Sequence, residues 1–238
     1  MKKILPLILL LTISIKAQDI KIGTQTWKSK NLDLSKFKNG EAIPLAKTEA
    51  EWQSAGENSQ PAWCYYKHET ANGIKYGKLY NFYAVSDPRG LAPIGYHIPT
   101  DAEWTLLRTY LGGDSIAGTK MKSTSGWNSF NGKKPCNICK KWTDDYRAGN
   151  TCKLCKDNQT LPAIISGNGN NSSSFNGLSG GFRAGNEGFI GIGSVGYWWS
   201  SSDFNYFNLL GDDGQKDRYE DMTEFLGYFG FSVRCIKD

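Results

Sequence analysis

Four of the six cysteines in this chain form two CxxC pairs, Cys136 with Cys139 and Cys152 with Cys155, separated by twelve residues. Four thiolates at this spacing can close a tetrahedral zinc site, which would be structural because it leaves no open position for a substrate. Disulfides are the alternative if the chain meets an oxidising environment. Redox catalysis is a less favoured alternative, because no helix begins at the first cysteine to lower the pKa of its thiol. We therefore expect residues 131–162 to form a small zinc-ribbon-like insertion.

The other two cysteines, Cys64 and Cys235, lie in aromatic or apolar segments that are typical of strands. Each is expected to be an inert buried thiol, because free cysteine is among the most buried residue types. A disulfide between them is the alternative. The sequence does not show whether their Cα atoms approach within bonding distance, so both interpretations stay open.

The two histidines of the chain, His68 and His97, give little support for catalysis. His97 lies just before Pro99 and a predicted helix start, so we expect it to order that turn by hydrogen bonding, and we expect His68 on the surface. The sequence has no phosphate-binding loop and no His-Glu-x-x-His zinc motif. We therefore assign no catalytic residue and expect that the protein is not an enzyme.

The first residues have the pattern of a secretory signal peptide. Lys2 and Lys3 precede the apolar run Ile4–Ile15, and Ala17 supplies a small residue for cleavage. The run is too short to span a bilayer, so no transmembrane segment is expected. We expect residues 1–17 to be removed and the protein to be secreted, or held in the periplasm or on the cell surface.

The net charge argues against two classes of partner. Without residues 1–17, which contain three lysines, the formal charge falls from +5 to +2. A charge this small and dispersed does not favour binding to nucleic acid or to an anionic membrane surface.

The coarse pattern predicts an α+β domain with two short helices, many short strands and long loops. Capping boxes predict helices over 49–55 and 101–111. Strands or extended segments are expected as a hairpin within Ile20–Leu34, over Ala62–Tyr66 and Tyr76–Val85, and over Phe231–Ile236. In the last strand, Phe231, Val233 and Cys235 would lie on one face and Ser232, Arg234 and Ile236 on the other.

The composition of the glycine- and aromatic-rich segment Leu178–Ser202 does not favour a helix, because glycine and serine are poor helix formers. We expect Phe182 and Arg183 to belong to the core, with Arg183 and Arg234 in structural roles. Trp198 and Trp199 are adjacent, so in a strand they face opposite sides, one in the core and the other nearer the surface.

Candidate ligand-binding residues lie at and beyond this segment. Tyr206, Tyr219 and Trp199 are expected to contribute to a recognition surface, because tyrosine supplies contact area at low entropy cost. Acidic pairs at 212–213 and 220–221 are capable of chelating calcium. Acidic pairs of this kind are more typical of solvent-exposed loops than of calcium sites, so calcium is not predicted.

The chain resembles the Fibrobacter succinogenes major paralogous domain family from about Ile22 to Asp238, and we expect residues 18–238 to form this domain. The resemblance rests on ordered motifs, which are WCYY (63–66), GKLYNFYAV (77–85), DPRGLAP (87–93), GYHIPTDAEW (95–104), GGFR (180–183), GYWWSS (196–201) and GFSVRC (230–235). It implies a C-type-lectin-like fold near the formylglycine-generating sulfatase-modifying domains, and export by Bacteroidetes-type bacteria. It brings no established activity, and it identifies the CxxC pairs as an insertion that some members carry.

From the residues and the resemblance together we expect an exported, non-catalytic binding module that recognises an extracellular glycan or protein. A structural, self-assembling cell-surface protein is the alternative. An oxidase of the formylglycine-generating type is disfavoured, because Cys64 and Cys235 do not lie in a motif that matches its copper-binding cysteine pair.

Overall fold

The structure, a computed structural model, describes residues 18–132, 163–185, 187–211 and 226–238. Helices and antiparallel strands alternate irregularly in this part of the chain, which confirms the α+β class. The helices are α1 (Glu49–Glu57), α2 (Thr70–Tyr76), α3 (Phe82–Val85), α4 (Asp101–Tyr110) and α5 (Asp114–Met121). The strands are β1 (Asp19–Ile22), β2 (Gln25–Lys28), β3 (Trp63–Cys64), β4 (Leu79–Tyr80), β5 (Tyr96–His97), β6 (Phe130–Gly132), β7 (Ala163–Ile165), β8 (Gly180–Ala184), β9 (Gly188–Ile192), β10 (Val195–Trp199), β11 (Tyr206–Leu210) and β12 (Ile236–Lys237).

Both predicted helices are confirmed, and both begin where the capping signals place them. The Thr100 hydroxyl accepts from the Glu103 backbone N–H, and the Glu103 carboxylate accepts from the Thr100 N–H, which completes a capping box on α4. Thr48 caps α1 by accepting from the Glu51 N–H, but the Glu51 carboxylate accepts from the Lys47 N–H and not from that of Thr48, so this cap is not a complete capping box. Capping bonds satisfy backbone donors that the first turn of a helix leaves unpaired.

The expectation of only two helices is wrong, because the described residues contain three more. The segment Tyr76–Val85, predicted as extended, forms the two-residue strand β4 and then turns into α3. Asn81 causes the change, because its side-chain oxygen accepts from the N–H of Ala84 and from that of Ala62. The second bond is tertiary, so the local pattern of aromatic residues could not reveal it.

One four-stranded sheet has the order β1-β2-β12-β5 and joins the two ends of the described chain. The predicted N-terminal hairpin is present as β1 and β2, with Ile20 opposite Trp27. The predicted strand Phe231–Ile236 is shorter than expected, because only Ile236–Lys237 pairs regularly, with β2 and β5. The preceding residues still alternate: Phe231, Val233 and Cys235 share one core cluster.

The second four-stranded sheet has the order β11-β10-β8-β9, and β10 lies between two hydrophobic clusters. Trp199 belongs to the cluster around Phe231, and Trp198 belongs to the cluster around Trp104. The two tryptophans therefore face opposite sides, as predicted. The expectation that one of them lies nearer the surface is wrong, because both are 0% exposed. Layers cover both faces of β10, so alternation along the strand does not separate core from solvent.

A short antiparallel pair brackets the cysteine-rich segment. In it, β6 pairs with β7, and Gly132 lies opposite Ala163. The predicted signal peptide and almost all of the predicted insertion lie outside the described residues. In the part of the chain that the structure describes, no helix is long and apolar enough to cross a membrane.

Candidate recognition surface

The predicted ligand-binding residue Tyr206 is half-buried at the start of β11, on an edge of the second sheet. Its ring centroid lies 5.3 Å from that of Tyr197 and 5.3 Å from that of Phe231. Both of these neighbours are core residues. The tyrosine ring is therefore held in place by the core while part of it faces solvent.

The loop that leads from β10 to Tyr206 is closed by its own hydrogen bonds. The Ser200 N–H donates to the Asn205 carbonyl at 2.9 Å, and the Asn205 N–H donates to the Ser202 carbonyl at 2.9 Å. Ser201, Asp203 and Asn205 are exposed. The loop thus presents three polar side chains next to Tyr206 on a closed backbone.

Phe204 anchors this loop at the cost of backbone strain. Its φ of 52° is in the left-handed region, which a bulky residue rarely adopts. The ring stacks on that of Phe82, with centroids 4.1 Å apart and planes 30° apart. Stacking between aromatic rings offsets a strain of about 1–2 kcal/mol, so the loop is ordered by a core contact.

The same loop is also docked on the start of α4. The Ser201 N–H donates to the Pro99 carbonyl at 2.8 Å, and the Ser202 hydroxyl accepts from the Asp101 N–H at 3.2 Å. Sequence reasoning selected Tyr206 but missed these supporting residues. The serine-rich run and the Asp-Phe-Asn sequence indicated a turn, but not its partners on α4.

The other predicted ligand-binding residues do not join Tyr206. Trp199 is fully buried, and its indole N–H donates to the Tyr80 carbonyl at 2.7 Å, so it is a core residue rather than a contact residue for a ligand. Tyr219 and both acidic pairs lie outside the described residues.

Arg234 has the structural role that the sequence predicted. It is 0% exposed, and burial lowers the pKa of its guanidinium to about 9, so it is still protonated at neutral pH. Its Nε and Nη2 donate to Oδ1 of Asn31 at 3.1 and 2.8 Å, and its Nη1 donates to the Phe175 carbonyl at 2.7 Å. Asn31 also accepts from the indole of Trp198 at 2.8 Å. Asn31, which the sequence did not single out, is thus the hub of this buried network.

Arg183 is equally buried and lies in β8, as expected for a core residue. Its guanidinium lies 4.8 Å from the ring centroids of both Trp52 and Phe189. Its Nη2 is 2.7 Å from Oε2 of Glu49, a carboxylate whose side chain is 47% exposed.

His97 orders the turn before α4, as predicted. Its Nδ1 is 2.8 Å from Oδ1 of Asp238 and its Nε2 is 2.8 Å from Oε1 of Glu103, so only the doubly protonated ring can donate to both. Burial alone would lower the pKa of His97, but the two carboxylates outweigh burial and raise it. His68 is exposed, as expected.

Cys64 and Cys235 are free and buried in the structure. Burial raises the pKa of each thiol to about 12, so neither forms a reactive thiolate near neutral pH. The four cysteines of the CxxC pairs, Cys136, Cys139, Cys152 and Cys155, lie outside the described residues.

The expectation that the chain carries no Gly-x-Ser-x-Gly pattern is wrong, because residues 177–181 have one, but the structure gives it no catalytic context. Ser179 is 1% exposed and its hydroxyl donates to the Gly126 carbonyl at 2.5 Å. The strand β8 follows it, whereas a nucleophile elbow leads into a helix. This serine is therefore a structural residue.

Comparison with family models matches residues 20–237 to the Fibrobacter succinogenes major domain. Comparisons with curated proteins and with solved structures gave no match. The match covers nearly all of the chain, from the second residue of β1 to the end of β12. The chain therefore belongs to the Fibrobacter succinogenes major domain family.

Proposed function

We propose that the protein is an exported, non-catalytic binding module that recognises an extracellular glycan or protein through the surface around Tyr206. One observation supports this most. A tyrosine held by core rings lies beside three exposed polar side chains, Ser201, Asp203 and Asn205, on a loop that its own hydrogen bonds close. A surface ordered before binding loses less entropy when a ligand binds.

The proposal includes two elements that rest on the sequence and on the resemblance. The first is a C-type-lectin-like fold, in which loops on one side of the domain contact the ligand. The second is Tyr219, whose residue type suits recognition for the same reason as that of Tyr206. Export rests on the signal-peptide pattern of residues 1–17.

We also propose that the cysteine-rich insertion is folded around one structural zinc ion held by Cys136, Cys139, Cys152 and Cys155. The pairing of Gly132 with Ala163 supports an insertion, because it places the two ends of the intervening segment side by side. A small segment with little core of its own commonly needs a metal for stability.

The direct test of recognition is a binding screen of the purified chain from residue 18 onward against a glycan array and a panel of extracellular proteins. The proposal predicts saturable binding to at least one member. Ordered self-assembly without binding to any member would favour a structural protein instead. Copper-dependent oxygen consumption with a cysteine-containing peptide would show an oxidase and overturn the proposal.

A further inference from the structure

The guanidinium of Arg183 is held rigidly just below the surface. It lies between the rings of Trp52 and Phe189, at 4.8 Å from each centroid. The indole of Trp52 is itself fixed, because its N–H donates to the Tyr228 carbonyl at 2.7 Å. Arg183 is 0% exposed, but the Glu49 side chain at 2.7 Å is 47% exposed.

One edge of this guanidinium makes no well-formed hydrogen bond among the described residues. Nε and Nη2 are both buried and neither has a partner in hydrogen-bond geometry, although the guanidinium also interacts with the buried thiol of Cys64. Nη2 lies near Glu49, but that contact lacks hydrogen-bond geometry and is an ion pair only. In arginine, Nε and Nη2 project their hydrogens from the same edge. This edge matches the two oxygens of one carboxylate, which it can bind in a bidentate manner.

The remaining side of the guanidinium is already engaged. Nη1 lies 3.4 Å from Nε2 of His68, which accepts only when that nitrogen carries no proton. Burial and the nearby Arg183 charge lower the pKa of His68, so the neutral ring is favoured at neutral pH. His68 thus orients the guanidinium and leaves the Nε–Nη2 edge directed elsewhere.

Glu49 occupies this edge from a partly solvated position, because its side chain is 47% exposed and water competes for its carboxylate. The guanidinium is fully buried, so it needs an anion beside it. Glu49 is also the first residue of α1, where the positive end of the helix dipole favours a negative charge. An incoming carboxylate would meet the same favourable field and gain the two hydrogen bonds that Glu49 does not make.

Two rings that are at least partly exposed lie next to the guanidinium. Phe189 is half-buried, and its ring is 5.1 Å from that of the exposed His68, with planes 88° apart. Binding sites for small molecules combine such apolar surfaces with a few placed polar groups. The C–H face of a sugar ring fits against an aromatic side chain, and a linear or unstructured carboxylate gains less from it.

We propose that Arg183 binds the carboxylate of a uronic acid, which displaces Glu49 while the sugar ring packs against Phe189 and His68. This site is separate from the Tyr206 surface. It therefore goes beyond the proposed function and does not rest on Tyr206. Substitutions at Tyr206 would leave uronic acid binding unchanged, so the two proposals fail independently.

The test is calorimetric titration of the purified chain with methyl β-D-glucuronide and methyl β-D-glucoside, which differ only in the carboxylate. The glucuronide should bind at least tenfold more tightly than the glucoside. E49Q removes the internal competitor and should tighten glucuronide binding severalfold. E57Q makes the same change at the exposed far end of α1 and should leave binding unchanged. R183K keeps the charge but loses the bidentate edge, and should weaken binding at least tenfold.

The proposal is overturned if neither wild type nor E49Q prefers the glucuronide, or if E49Q binds it no more tightly than E57Q. Because R183K could fail to fold, the comparison of E49Q with E57Q decides the matter without it. Titration with acetate and with a peptide carrying a free C-terminal carboxylate tests whether the sugar ring contributes to binding beyond its carboxylate. Binding of either as tight as that of the glucuronide would overturn the assignment to a uronic acid.

Discussion

Trp198 and Trp199 are consecutive residues of β10, yet their indole rings lie in two different cores. The Trp199 ring is 4.4 Å from that of Phe231, whereas the Trp198 ring is 6.2 Å from that of Phe207 in the other cluster. Each indole N–H has its own acceptor, Tyr80 for Trp199 and Asn31 for Trp198. The strand β10 is therefore the boundary that the two cores share.

The first prediction tests this two-core architecture. W198F and W199F should each lower the free energy of unfolding by about 2 kcal/mol, through lost packing and an acceptor left unpaired. Because the rings lie in separate clusters, the double variant should lose the sum of the two effects to within about 0.5 kcal/mol. Urea unfolding of the three variants measures this. A coupling energy above about 1 kcal/mol would mean that the two rings act in one core.

The second prediction concerns Asn31, the hub beside Arg234. N31A removes the oxygen that accepts from Nε and Nη2 of Arg234 and from the Trp198 indole. Buried donors that lose their acceptor cost about 1–3 kcal/mol, and more when they are charged, so N31A should destabilise the fold clearly in urea unfolding. Asn39 is exposed and bonds only locally with Glu41, so N39A is the control. If N31A and N39A lowered the free energy of unfolding equally, Asn31 would not be the centre of the buried network.

The third prediction is a dependence of stability on pH that arises from His97. Its raised pKa means that the folded state holds the proton more tightly than the unfolded chain does. The stabilisation is therefore complete below the unfolded pKa of about 6.5 and is lost as pH rises through the folded pKa. The difference in unfolding free energy between wild type and H97N should shrink over that range. Its size should be below about 1 kcal/mol, because the pair is partly exposed.

His68 supplies a control of opposite sign for this experiment. Its pKa is lowered, so the unfolded chain binds the proton more tightly, and the associated stability is present at high pH and lost as pH falls. H68N should therefore reduce stability less at pH 5 than at pH 8. If both histidine variants changed with pH in the same direction, the two hydrogen-bond assignments would be wrong.

Features encoded by neighbouring residues could be predicted from the sequence. The starts of α1 and α4 depend on Thr48 and Thr100, each of which bonds within its own first turn. The N-terminal hairpin and the alternation after Phe231 likewise follow from local periodicity. These features need no knowledge of the rest of the chain, which is why they were found.

Features that depend on distant contacts could not be predicted. α3 begins at Asn81 because that side chain also binds Ala62, and Trp199 is buried because a second layer covers its face of β10. For the recognition surface, the sequence identified Tyr206 from its residue type alone. The docking of its loop on α4 and the stacking of Phe204 on Phe82 depend on tertiary packing, which no spacing rule encodes.

The fourth prediction concerns the cysteine-rich insertion. Elemental analysis of the folded chain should find one zinc ion per molecule, and a strong chelator should release it and make four thiols reactive. Cys64 and Cys235 should remain unreactive until the chain unfolds, because both are buried. If the folded protein contains no metal and the four cysteines of the CxxC pairs show no free thiol, the insertion holds disulfides instead of zinc.

The most direct test of the recognition surface is an equilibrium titration of wild type, Y206F and Y110F against the tightest-binding member of the screening panel. Y206F keeps the ring that packs on Tyr197 and Phe231, so the fold should survive. Y110F removes a hydroxyl from a tyrosine that is 63% exposed on α4, outside the proposed surface. We predict that Y206F weakens binding about tenfold, equivalent to about 1.4 kcal/mol, and that Y110F has no effect. Unchanged affinity in Y206F, or equal losses in both variants, would contradict a recognition surface at Tyr206.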